Sequence, residues 1–166
     1  MKNTMNISIC LWFDTQALEA AEFYTGIFRN SEITGITYFP DSGKEIHGKD
    51  AGTVMAVEFV LNGQRMTALN GGPDFKFNEA VSIIINCADQ KETDYYWEKL
   101  GHGTDENTKQ CGWLKDRYGV SWQIVPEGIN DFFKNGKSPD SARVMTEMLK
   151  MKKLDIEYLR KAYYRN

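Results

Sequence analysis

Apolar and polar residues run along this chain in two successive rounds, each opening with a short strand-like run and continuing at helical spacing. The first run, Ile7-Ser8-Ile9-Cys10-Leu11-Trp12-Phe13, is β-branched and aromatic and reads as a strand. Ala17, Leu18, Ala20, Ala21, Tyr24, Ile27 and Phe28 then mark one buried face of a helix, with Asp14 or Thr15 as its N-cap and Asn30 as its stop. Further strands are predicted over Ile33 to Phe39, Val54 to Leu61 and Arg65 to Leu69. Asn62-Gly63 between the last two suits a tight hairpin turn, whose two central residues need positive φ.

The order then restarts. Ala80 to Cys87 is an apolar strand, Asp89 can cap a second helix, and Thr93, Tyr96, Trp97 and Leu100 fall at i, i+3, i+4 and i+7. Gly101 and Gly103 close that helix, and short strands follow around Gly112 to Lys115 and Ser121 to Val125. Neither half can bury its sheet face alone, which gives duplication a physical reason. Beyond Pro126 the pattern turns helical. Ile129 to Phe133 reads as a short turn or helix, and Ser138-Pro139 opens a helix striped by Val144, Met148 and Met151. Asp155 caps a last helix carrying Ile156, Leu159 and Tyr163. The expected class is α+β: two βαβββ modules, 5–72 and 79–126, within a domain 1–128. A helical extension, 129–166, would pack on that domain or on a partner subunit.

Composition narrows the function. Over 166 residues the chain is 42% hydrophobic and 26% charged, with a net charge of −3. That balance suits one well-buried core and argues against a nucleic-acid surface, which needs clustered Lys and Arg. The densest cationic stretch, Lys150 to Lys153, runs into Asp155 and Glu157 and reads as a solvated helix end. Met1 to Asn6 lead into a run too short for a secretory or membrane segment, so neither membrane nor export is expected. Cys10, Cys87 and Cys111 form no CxxC pair, and Cys10 and Cys87 sit in apolar strand patterns as small hydrophobes; a reducing cytoplasm is the natural compartment. No GxGxxG or GxxxxGK[ST] pattern follows a strand, which argues against dinucleotide and P-loop nucleotide binding.

Several stretches together resemble the vicinal-oxygen-chelate superfamily of glyoxalases, bleomycin-resistance proteins and dioxygenases. The likeness is closest to its PhnB-like branch, whose domain is often labelled a demethylubiquinone methyltransferase. They are Leu11-Trp12-Phe13-Asp14 with Glu22-Phe23-Tyr24, the run Leu69-Asn70-Gly71-Gly72-Pro73-Asp74-Phe75-Lys76-Phe77-Asn78-Glu79-Ala80-Val81-Ser82, the helix start Asp89 to Trp97, and Cys111-Gly112-Trp113-Leu114-Lys115-Asp116-Arg117-Tyr118-Gly119-Val120-Ser121-Trp122-Gln123. The tail from Arg143 to Ile156 is similar to that branch too. The resemblance implies two modules whose mixed sheets curl around a shared cavity, usually in a homodimer. In enzymes of the superfamily a divalent metal is held by His, Glu or Gln from both modules and acts as a Lewis acid.

Carried over one at a time, the ligand positions fall at Ile7 or Ile9, near Ala68 with Thr67 and Asn70 as polar neighbours, at Ser82 and at Gln123. A hydroxyl and a neutral amide are poor partners for a transition metal, so no metal and no other cofactor is expected. His47, in the loop Asp41 to Gly52, and His102, between two glycines, read as exposed loop residues. Cys111 begins a strand at the implied cavity mouth. With no His or Lys beside it in sequence, a structural thiol outweighs a nucleophile.

The function expected is metal-independent binding of a small apolar or aromatic molecule in the cavity. Asn70, Ser82 and Gln123 would be its polar anchors, with Trp12, Trp113 and Trp122 as aromatic walls. Glu58, among apolar neighbours in its strand, is a further pocket candidate, either an outward solvated carboxylate or a base. The alternative is an enzyme of lyase, isomerase or dioxygenase type, using unanticipated ligands or an acid–base pair such as Glu58 with Gln123. Methyl transfer finds no support in the residues, because Asn70-Gly71-Gly72-Pro73 follows a hairpin strand and reads as a tight turn.

Overall fold

In a computed structural model, which describes residues 7–134 and 138–164, the chain divides into two compact units, Met1–Lys76 and Phe77–Asn166. The expectations for Met1 to Asn6 lie outside the described residues. No described helix is long and apolar enough to cross a membrane.

The first unit runs β1 (Ile9–Phe13), α1 (Ala17–Ile27), β2 (Glu32–Tyr38), α2 (Lys44–His47), β3 (Val54–Leu61) and β4 (Gln64–Asn70). Its sheet has the order β1-β4-β3-β2, with β1 parallel to β4 and the other pairs antiparallel. The hairpin between β3 and β4 turns on Asn62 and Gly63, at φ 46° and 89°. That is the positive-φ pair the sequence asks for. Alternation then sorts the strands. Leu11 and Phe13 of β1, Val57, Phe59 and Leu61 of β3, and Met66 and Ala68 of β4 are buried, and Tyr24 of α1 stacks on Phe59 with centroids 6.3 Å apart.

The expected cap of α1 is corrected. Gln16 occupies the N-cap with no side-chain bond, and Asn70, at the end of β4, accepts from the Ala17 N–H at 2.8 Å instead. The other carboxamide end of Asn70 donates to the Val54 carbonyl at 3.0 Å, tying β3, β4 and α1 together. His47 is also not a free loop residue. It ends α2, half-buried, with its ring 4.7 Å from that of Phe39 and Nδ1 accepting from the Lys49 N–H.

The second unit runs β5 (Ile83–Cys87), α3 (Gln90–Gly101), β6 (Trp113–Lys115), β7 (Ser121–Pro126), α4 (Pro139–Met148) and α5 (Ile156–Tyr163), with 3-10 turns at Glu106–Thr108 and Ile129–Phe133. The sheet order is β5-β7-β6, parallel then antiparallel. Asp89 and Asp155 cap their helices as the sequence suggests, and Ser138 caps α4, each accepting from a backbone N–H three residues on. Two expectations are revised. The strand begins at Ile83 rather than Ala80, and where a third strand after α3 was expected the described residues carry the 3-10 turn and a single bridge, Gln110 to Trp113.

The C-terminal helices cover their own unit. Ile129, Phe132, Val144, Leu154, Ile156 and Leu159 form one buried cluster, with Val125, Met148, Met151 and Tyr163 packed on it. Each fully buried side chain of this kind stabilises by about 1.5–3 kcal/mol. The link between α4 and α5 is strapped down by polar bonds as well: Cys111 and Gly112 N–H groups donate to the Met151 and Lys152 carbonyls, and Gln90 bonds both the Leu154 carbonyl and the Ile156 N–H. The cationic run is paired rather than merely solvated, with Lys150 on Glu147, Lys152 on Glu106 and Lys153 on Asp94.

Glu106 is the acid-sensitive point of this strap. Hydrogen bonds from Lys109 at 2.6 Å and Lys152 at 2.9 Å hold its carboxyl down at about 2, against an ordinary 4.5. On acidification the unfolded chain takes up this proton first. The pairing therefore contributes fully above about pH 4.5 and is lost as the pH falls toward 2. Glu106→Gln is expected to flatten the stability–pH curve across that window, read by urea midpoints. An unchanged slope would assign the acid sensitivity to other carboxylates.

Candidate functional site

Each sheet has one face against helices and one turned away from them, and the strand register fixes which side chains share the latter. In the first unit Phe59, stacked on Tyr24, and Asn70, bonded to Ala17, mark the helix side. Their strand neighbours Glu58 and Leu69 therefore stand on the open side. Across the sheet, Gly35 pairs Glu58, Glu58 pairs Thr67, and Thr67 pairs Cys10. The next row is Thr37, Ala56, Leu69 and Trp12. Trp12 is half-buried and fixed: its indole N–H donates to the Gly72 carbonyl at 2.9 Å, and its ring meets Phe75 edge-on at 5.0 Å. Glu58 is exposed.

In the second unit Cys87 and Leu114 mark the helix side, the first bonded to Thr93 and the second against Gly101 of α3. The open side carries Ser82, Ile84, Gln123 and Trp113. Ile84 pairs Gln123, Gln123 pairs Trp113, and the Gln123 amide donates to the Ser82 hydroxyl at 2.8 Å. The bond leaves the Ser82 O–H free to donate and the Gln123 carbonyl free to accept. Ile84 is exposed and Trp113 half-buried beside this pair. Lys115, two residues on from Trp113 and on the same face, is ion-paired to Glu79 at 2.5 Å.

Two candidate residues face the other way. Trp122 is 1% exposed, on the helix side, with its indole N–H donating to Asp116 at 2.8 Å. It is a core residue and not a pocket wall, because it is adjacent to Gln123 in one strand and neighbours in a strand point to opposite faces. Asn70 borders an open cleft of ≈ 710 Å³ beside the start of α1, shared with Thr15, Lys49 and Thr53, but both ends of its amide serve the backbone. What the chain pattern alone does not reveal is the row Cys10–Thr67–Glu58. Alternation could have placed each residue on a face, but only the strand register sets them side by side.

The thiols differ from expectation in two places. Cys10 is exposed rather than a core residue, although partial burial of its sulfur pushes the thiol up. Cys87 is the buried one, and burial pushes it up to about 11. Cys111 sits at φ 50° with its thiol donating to the Met148 carbonyl at 3.3 Å, so it abuts the end of α4 and marks no cavity mouth within its unit.

Residues 5–125 match the profile of the family described as 3-demethylubiquinone-9 3-methyltransferase. The chain belongs to that family. Among solved structures it is similar to a PhnB protein from Bacillus cereus, at 33% identity and a TM-score of 0.60, over 74% of this chain and 99% of that one. It is also similar to a Pseudomonas aeruginosa protein, at 19% identity and a TM-score of 0.57, over 75% and 98%. A glyoxylase/bleomycin resistance protein/dioxygenase domain from Frankia sp. EAN1pec matches at 13% identity and a TM-score of 0.45, over 77% and 97%. A comparison with curated proteins found no match. The family profile ends before α4 and α5, so the helices that close the second unit are an addition to the matched region.

The family resemblance carries metal positions with it, and the donors present do not fit a metal. Ile7 and Ile9 are hydrocarbon, Ala68 is buried on the α1 side, and Ser82 and Gln123 are neutral and bonded to each other. Among the described residues no three His, Cys, Asp or Glu side chains gather as they would around an ion.

Proposed function

We propose that this PhnB-like chain binds a small, largely apolar or aromatic molecule without a metal, on the open faces of its sheets. The observation that carries the reading is the Ser82–Gln123 pair beside Trp113 and exposed Ile84. A neutral donor and a neutral acceptor held at 2.8 Å next to an indole suit a ring bearing a hydroxyl or carbonyl. The family's label names methyl transfer, but the glycines that could suggest a donor loop have another use here. Gly71 lies flat under the Trp12 ring, and Gly72 accepts from its indole N–H. Acid–base catalysis is a second reading, favoured by the exposed carboxylate of Glu58 on the open face of β3.

The test is a titration of the full chain with 2-naphthol, followed by tryptophan fluorescence, before and after EDTA treatment. Saturable quenching that EDTA leaves unchanged is expected. Ser82→Ala and Gln123→Ala should each weaken it about threefold to tenfold, as loss of one neutral hydrogen bond does. Binding that appears only after adding Ni²⁺, Mn²⁺, Zn²⁺ or Fe²⁺ would overturn metal independence. Absence of saturable binding across neutral naphthols and phenols would overturn the reading itself.

A further inference from the structure

We infer that the open face of the first sheet recognises a small primary amine, with Glu58 as counter-charge and the neighbouring apolar row as the seat for the ligand's body. The inference rests on the reading that the open sheet faces take small molecules, and it assigns this face a ligand class of its own.

Charge is the first argument. The row Gly35–Glu58–Thr67–Cys10 holds one ionisable group that is charged at neutral pH, a carboxylate. Among the described residues no ion pair neutralises it, whereas Asp50 is paired with Lys44 and Asp14 with Lys49. Arg65, on the same face of β4, sits opposite Val60, one step beyond Glu58, and forms no ion pair with it. Cys10 adds no charge, since partial burial pushes its thiol further from ionisation.

Space is the second. Gly35, opposite Glu58, has no side chain, and a Cβ there would lie 3.5 Å from the Glu58 carboxylate oxygen. The carboxylate thus lies over bare backbone and keeps a free flank. Thr67, on the other side, is about 5 Å away between Cβ atoms, as directly opposed strand residues are. An ammonium carries three donors and no acceptor, and the Glu58 carboxylate, which leans toward Gly35 and away from Thr67, meets one of them from its free flank. A neutral alcohol makes less of the same carboxylate, and an anion is repelled by it.

The body of the ligand is set by the adjacent row. Ala56 and Leu69 lie two residues along β3 and β4 from Glu58 and Thr67, roughly 6.5–7 Å further on. Trp12 closes that row, held in place by Gly72 and Phe75. One ring on a two-carbon arm spans the distance.

Three compounds with one body and three heads test this: phenethylamine, 2-phenylethanol and phenylacetate, titrated calorimetrically into the full chain. The amine should bind roughly tenfold tighter than the alcohol, the scale of one charge-assisted hydrogen bond, and phenylacetate weakest. Glu58→Gln should erase the amine's advantage. Glu58 is exposed, so its glutamine variant is expected to melt as the parent does, which separates lost recognition from lost folding. Equal affinities for amine and alcohol, or an amine preference that survives Glu58→Gln, overturns the inference. An amine that fails to bind while 2-naphthol binds sinks this inference alone, and failure of both probes sinks the wider reading with it.

Discussion

Asp116→Ala is expected to cost about 4 kcal/mol of stability. The residue is 5% exposed, yet its carboxylate accepts from Tyr118 N–H at 2.9 Å, Val120 N–H at 3.0 Å and Trp122 Nε1–H at 2.8 Å. Alanine leaves all three donors without that acceptor, two of them buried, and the tight turn before β7 loses its organising group. Asparagine is the sharper test. One oxygen of Asp116 serves both backbone donors and the other serves the indole. An amide has only one acceptor end, so either orientation sets an NH₂ against an N–H. Asp116→Asn should therefore still cost about 2 kcal/mol, and Trp122→Phe should cost less in that background than in the parent, because it removes the opposed donor. Urea midpoints of these variants decide the matter. An asparagine variant as stable as the parent would mean that the acceptor count is not what holds this turn.

The same turn shows what the sequence discloses and what it withholds. Strand β3 is legible to the residue, since Val54 to Leu61 is one apolar run bounded by a turn signal, and the caps Asp89, Ser138 and Asp155 announce three helices locally. Where a signal is non-local it is lost. The group that meets the first N–H of α1 is Asn70, 53 positions away, and no window around Asp14 and Thr15 could reveal it. Helix α2 has four residues between Gly43 and Gly48, shorter than any helical period can register. Trp122 is a different case, because the signal was present: a residue adjacent to Gln123 in a strand cannot share its face. Aromatic character suggested a pocket wall where period-2 alternation already assigned a core. For Glu58 the strand was plain, but its company, Thr67 and Cys10, depends on register, which hairpin geometry sets for β3 and β4 and which parallel pairing sets for β1.

Gly71→Ala is expected to destabilise the first unit by about 3 kcal/mol, at the upper end for overpacking. The reason is space and not backbone freedom, for Gly71 is not among the residues at positive φ. A Cβ at this position would lie 2.1 Å from the nearest Trp12 ring atom and 2.3 Å from the next two, far inside any contact distance. The clash falls on the six-membered part of an indole that cannot simply bend away. Trp12 is held by its bond to the Gly72 carbonyl and by Phe75, so relief means breaking both or moving the end of β4. Since Asn70 precedes Gly71 and caps α1, movement of that backbone would also loosen the helix start. A double-mutant cycle isolates the cause. In a Trp12→Ala background the glycine substitution should cost under about 1 kcal/mol, leaving a coupling of roughly 2 kcal/mol between the two positions. Additive losses would show that the glycine is needed for something other than the indole above it. Coupling of the expected size would fix the role of the Gly-Gly pair as the bed of Trp12, and with it the edge of the apolar row on which the proposed amine rests.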